Sequence, residues 1–172
     1  MTHLDPAVEP VSPFLAFRFR VKWQDRYVAG VTRVGPLRRT TQVVVQRDAG
    51  DPSSSRKLPG HTDYEPITIE LGVIHDREFE QWAASVVEVA GAQAPPAQFR
   101  RDIRIEVCDE AGHVRLAYDV FGCWISSYQA LPDLDVDATA TALQHATVEN
   151  EGWERDYEVP DEPTTTPADP PG

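Results

Sequence analysis

Apolar residues fall on every second position through most of this chain, and a period of two admits few folds other than a sheet with one buried face. The clearest run is Ile67, Ile69, Leu71 and Val73, with Thr68, Glu70 and Gly72 between them. Phe17, Phe19, Val21 and Trp23 alternate in the same way with Arg18, Arg20 and Lys22. "QDR" turns that strand and "YVAGVTRV" returns, with Gly30 marking a bulge or a close backbone approach. The β-branched "TTQVVVQ" makes a third strand. "IRIEVCDEAGHVRLAYDV" reads as a hairpin around "DEAG" that continues to "FGCWISSY", and "TATALQHATVENEGW" is the last strand.

One stretch switches period. In "HDREFEQWAASVVEVAG" the apolar stripe Phe79, Trp82, Ala83, Val86 and Val87 has helical spacing, with Asp76 as N-cap and Gly91 as stop. A helix over about 76–90 is expected, with Phe79, Trp82 and Val86 in the core. The fold class is α+β and mostly β: an antiparallel barrel or sandwich with one flanking amphipathic helix. The 172 residues suit one domain. Residues 1–13 form an N-terminal extension, 14–153 the β domain, and 154–172 an acidic, proline-rich tail.

Between the third strand and Ile67 lie about twenty residues, "QRDAGDPSSSRKLPGHTDYEP", with no apolar period. Compact domains seldom carry a structureless loop longer than ~15 residues without a use for it. This arm spans about 46–65.

Net charge is −12, but it is unevenly spread. Arg18 to Lys57 holds ten Lys or Arg and three acids, whereas Glu149 to Gly172 holds one base and eight acids. Copies meeting head to tail, basic surface on acidic surface, would use that asymmetry. Basic residues are not interleaved with aromatics as an RNA-binding sheet requires, which argues against free nucleic acid as a partner. No run of eighteen apolar residues occurs, and residues 1–13 have neither a basic start nor an apolar stretch. A soluble chain without a Sec-type signal and without membrane insertion is expected.

The residues offer little for catalysis or metal. With Glu110 and Ala111 as the hairpin loop, Cys108 faces His113 and Cys123 faces Gln98, so the thiols are far apart and a disulfide is disfavoured. Cys108 beside His113 lacks a third orienting group and an oxyanion donor. His3, His61, His75, His113 and His145 show no ligand spacing, and Asp133, Asp135 and Asp137 lack the glycine and distal glutamate of a calcium loop. No cofactor is implied. The polar alternates Arg18, Arg20, Lys22, Thr68, Glu70, Arg104 and Glu106 form a wet face, or the lining of a lumen in an assembly.

The order of these segments resembles the inner-tube proteins of contractile phage tails and related injection systems. The resemblance is carried by Phe17, Phe19 and Val21; Ala29, Gly30 and Val31; "RKLPG" at Arg56–Gly60; Tyr64, Pro66, Ile67, Ile69, Gly72 and Val73; and Asp76, Phe79 and Trp82. "RRDIRIEV", "YDVFGCWISSY" and the Glu-Gly-aromatic ending at Glu151–Trp153 continue it. The turn usually written "SGL" in that family is "GPL" here. The resemblance implies a non-enzymatic subunit of hexameric rings stacked into a tube, with sheath and baseplate proteins as partners and DNA or other cargo in the lumen. It implies assembly in the producing cell's cytoplasm, as part of a phage tail or a released injection particle. The arm would carry the ring-to-ring contact through Arg47, Asp48, Arg56, Lys57, Leu58, Pro59 and Tyr64, ordering only on assembly. The competing class is a monomeric β-barrel that binds or converts a small molecule.

Overall fold

The computed structural model describes residues 18–47, 50, 55–72, 77–90, 99–134 and 142–159. In chain order the elements are β1 (Arg18–Trp23), β2 (Arg26–Tyr27), β3 (Val31–Val34), β4 (Arg39–Arg47), β5 (Ser55–Tyr64), β6 (Ile67–Gly72), α1 (Arg77–Ala90), β7 (Arg101–Cys108), β8 (Val114–Gln129), β9 (Leu143–Glu149) and β10 (Gly152–Asp156). The main sheet has the order β2-β1-β7-β8-β9-β6-β3, with β10 also on β8, and among the described residues β4 pairs only with β5. Every pairing is antiparallel.

The sixteen residues of β8 serve two layers. Its first part pairs with β7 on one side and β10 on the other, and its last part pairs with β9. Between the two parts Gly122 has φ 60, and a Cβ there would lie 2.5 Å from the Glu151 carboxylate, so only glycine lets the strand turn at this point. The sheet folds over itself around β8. Val21, Trp23, Ile103, Ile105 and Val120 on one layer meet Ile67, Ile69, Leu71, Ile125 and Val148 on the other. On α1, Phe79 and Trp82 are buried and close one side of the core. Trp23 stacks on Phe79 at 6.0 Å and meets Trp82 edge-on at 4.9 Å, while the Trp82 indole Nε1 donates to the Phe99 carbonyl at 2.9 Å.

Several expectations need correction. Residues 55–64 are a strand, not a structureless loop: β5 pairs with β4 from Arg39↔Tyr64 to Arg47↔Ser55. Every residue of β4 is exposed, as is most of β5, so neither face has a core to impose alternation, and Pro59 follows a register irregularity on a strand with a free edge. "YVAGVTRV" does not return alongside β1. Only Arg26 and Tyr27 do so, and then Gly30, with φ 70 and its carbonyl accepting from the Gly72 amide at 2.8 Å, sends the chain across to β6.

The β7–β8 hairpin closes around Asp109–His113, the Asp109 amide donating to the His113 carbonyl at 2.9 Å, with a bulge beside it. Cys108 therefore faces Val114 and Cys123 faces Arg101. Both cysteines are free and buried; Cys108 pairs with Arg18 on the face that carries Arg20 and Glu106, and is covered there. The buried stripe of α1 is Phe79, Trp82 and Ala83; Val86, expected in the core, is half-buried and outside the core cluster, and Val87 is 75% exposed. The last strand is two, β9 and β10, and Glu154–Asp156 belong to the sheet and not to the tail. The Asp76 cap, the Gly91 stop, residues 1–17 and residues 160–172 lie outside the described residues.

Candidate functional site

The β4–β5 arm is the most exposed part of the described chain. A two-stranded hairpin alone in water is marginal, and this one carries Val43, Val44 and Val45 at 63%, 50% and 54% exposure with Leu58 at 43%. Val44 faces Leu58, and Val43 faces Pro59. Among the described residues neither strand pairs with any other, so both outer edges offer unpaired backbone groups, which is the usual template for another chain. The Gln46↔Arg56 and Val45↔Lys57 pairs put Arg56 and Lys57 near the tip beside Arg47. Among the described residues none of these three cations has an ion-pair partner.

Of the expected stacking residues, Arg47, Arg56, Lys57, Leu58 and Pro59 thus share the outer part of one hairpin. Asp48 lies outside the described residues. Tyr64 does not join them: it is at the root, meeting the Trp153 ring edge-on at 6.3 Å, with the Arg39 guanidinium 5.5 Å from the centre of that same ring. Asn150 Nδ2 donates to the Glu65 carbonyl at 3.0 Å, and Glu65 takes Arg38 at 3.3 Å and the Thr40 hydroxyl at 3.1 Å. Thr41 and Thr62 bond across the hairpin at 2.8 Å. The segment Asn150–Trp153 therefore fastens the arm to the sheet. Its Glu-Gly-Trp pattern was visible in sequence, but its partner lies 85 residues away and nothing local announced it.

The polar alternates divide between the layers. Arg18, Arg20, Lys22, Arg104 and Glu106 share the outer face of β1 and β7, whereas Thr68 and Glu70 lie on β6, where Glu70 meets Arg33 at 3.1 Å. Across the first face runs a continuous charge network. The buried Glu106 carboxylate takes Arg20 at 3.2 Å and the Tyr27 hydroxyl at 3.2 Å, with Arg104 Nε at 3.5 Å. Arg104 continues to Asp119 at 3.0 Å and to Asp156 at 2.6 Å, tying β10 to β7. The hydrogen bond from Arg104, then that from the Glu158 amide, hold the Asp156 carboxyl below its usual range. Because the folded value is lowered, the stabilisation is present above the ordinary carboxylate value near 3.8 and is lost as pH falls through the lowered one. Asp156→Asn is expected to speed amide exchange in β10 at neutral pH and to weaken its acid dependence; unchanged exchange would show that the pair does not hold the strand.

No nucleophile is assembled from the thiols. Burial pushes the Cys123 thiol up to about 12, and His113 turns to Asp109 at 3.4 Å. Asp133 is exposed, and Asp135 and Asp137 lie outside the described residues.

An exposed hairpin, braced at its root, on a folded sheet whose outer face is an ordered charge network suits a protein that works by contact with other chains. A profile of the T4-like virus tail tube protein gp19 matches residues 15–154. The chain belongs to that tail tube family. No curated protein matches it. Among solved structures, this tube protein resembles a chain of the sheath–tube complex of an extracellular contractile injection system (PVC) in its extended state, at 21% identity and a TM-score of 0.69, over 85% of this chain and 93% of that one. It also resembles a chain in the tube-terminating cap of the anti-feeding prophage (AFP), at 24% identity and a TM-score of 0.67, over 88% and 95% of the two chains. These likenesses establish a shared tube-protein fold, and membership of the family makes the chain a structural tail tube subunit.

Proposed function

We propose that this tube protein forms hexameric rings that stack into a hollow tube, with the β4–β5 arm as the contact along the axis and residues of about 14–153 as the assembling unit. The observation that carries this reading is the arm itself: nine and ten residues of paired strand, apolar on both faces, cationic toward the tip and without cover in the single subunit. Arg47, Asp48, Arg56, Lys57, Leu58 and Pro59 contact the neighbouring ring, and Tyr64 holds the root. The subunit acts by assembly and conduction, not by catalysis. It is made in the producing cell's cytoplasm, is surrounded by sheath, ends on a baseplate, and encloses DNA or another cargo.

Arg56→Glu with Lys57→Glu is expected to shorten tubes severalfold at low salt and to make the variant insensitive to added salt. Wild-type tubes should weaken as ionic strength rises, since exposed pairs are screened within about 8–10 Å near physiological salt. Sedimentation and negative-stain microscopy read both effects. Tubes of normal length from the double variant at all salt concentrations would remove the cations from the contact.

A further inference from the structure

A heterologous stack needs two different surfaces on each copy, one that projects and one that receives. The arm is the first, and a receiving surface should be apolar, acidic and on another flank of the subunit. One groove meets all three conditions. It lies between α1 and β8, has a volume of about 340 Å³, and is lined by Glu80, Ala83, Val86, Val87, Ile125 and Tyr128 among others.

Its position follows from strand order. The arm links β3 to β6, while α1 packs on β8, at the other side of the β3-β6-β9-β8 layer. A copy placed beside or above can therefore bring its arm to the groove without the two surfaces competing. The arm's strands of nine and ten residues, at 3.2–3.4 Å each, reach about 30 Å, enough to cross to a neighbour.

Chemistry points the same way. Val87 is 75% exposed on a helix whose Phe79, Trp82 and Ala83 already serve the core. The first turn of α1 is acidic through Glu78 and Glu80. Glu78 is engaged by Arg26 at 2.9 Å, but Glu80 is exposed and has no ion-pair partner among the described residues. The Tyr128 hydroxyl is buried without a hydrogen-bond partner among the described residues, and burial, then Glu80, raises its pKa, which keeps it a donor. The arm brings what is missing: unpaired carbonyls on strand edges and, on one face, apolar cover from Val44 and Leu58 with the cation Arg56 beside them.

We propose that the groove between α1 and β8 receives the β4–β5 arm of a second copy of this chain, apolar surface on Val86 and Val87 and Arg56 toward Glu80. This rests on the arm being the stacking contact. The test uses Leu58→Cys and Val87→Cys in the full chain; both sites are exposed, and the native thiols are buried and do not compete. Under mild oxidation of assembled tubes, the double variant is expected to give a ladder of linked subunits on non-reducing electrophoresis, and neither single variant should. Tubes without a ladder, or a ladder from Leu58→Cys alone, would overturn the groove as the seat while leaving the arm's role intact. A charge exchange supplies the second measurement: Glu80→Lys should shorten tubes several-fold, and adding Arg56→Glu, on the same face as Leu58, should restore them. Failure of Arg56→Glu to restore length would also overturn the pairing. Normal tubes from a protein in which Gln42 to Gly60 is replaced by a short Gly-Ser turn would instead defeat the stacking reading on which it rests.

Discussion

Tubes disappear, and the subunit stays folded, when Gln42 to Gly60 is replaced by a short Gly-Ser turn; that is the expected result of removing the outer arm. The cut lies above the Thr41–Thr62 hydrogen bond, so the root, with its Arg38–Glu65, Asn150–Glu65 and Tyr64–Trp153 contacts, is kept. Nothing removed belongs to the core, since the described residues lost are exposed except Gly60, which is half-buried. Stability by denaturant unfolding should change by about 0.5 kcal/mol or less, as for surface changes generally. Negative-stain microscopy should show single rings or free subunits where wild type gives long tubes. Long tubes from the shortened protein would place the axial contact elsewhere.

Trp82→Ala has the opposite profile. Trp82 is buried, bonded to the Phe99 carbonyl, and packed edge-on against Trp23 and Phe79. Its truncation should destabilise the subunit by roughly 3–5 kcal/mol, a large part of the 5–15 kcal/mol typical of a domain. Val87→Ala, five residues along the same helix, should cost about 0.5 kcal/mol or less because that side chain is largely in water. Chemical denaturation of both variants separates them, and a loss below about 1 kcal/mol for Trp82→Ala would mean that the aromatic cluster does not hold the helix.

What the sequence disclosed is what a buried face imprints on it. β1, β6 and β7 each have one side in the core, so their alternation was readable, and α1 showed Phe79 and Trp82 for the same reason. β5 is exposed on both sides, and a strand with no buried face leaves no period to find. Val87 failed because helical spacing gives a stripe but not the width of what it packs on. The hairpin register slipped because the turn closes on Asp109–His113, one residue more than a two-residue loop, and a bulge beside Val107 shifts the pairing once more while leaving the alternation on either side intact. β10 was concealed by its acids: Glu154 and Asp156 sit on the outer face, and the arginine that meets Asp156 is 52 residues away. The assembly surfaces were half legible. The tip cations stood out by charge, whereas the Asn150–Trp153 brace and the α1–β8 groove are juxtapositions made only by the fold.

The brace at the arm's root bears on how accurately a polymer of such subunits can grow. A hairpin about 30 Å long is a lever, and a tilt of only about 5° at its base would displace the tip by roughly 2.5 Å, more than half the spacing between paired strands. In the proposed stack of identical rings any such error would be repeated at every layer. The side chains gathered at the base, Arg38, Arg39, Thr40, Tyr64 and Glu65 against Asn150 and Trp153, therefore act where angular freedom is most magnified. Straightness over many rings would then be decided less by the surfaces that touch than by the few residues that aim them.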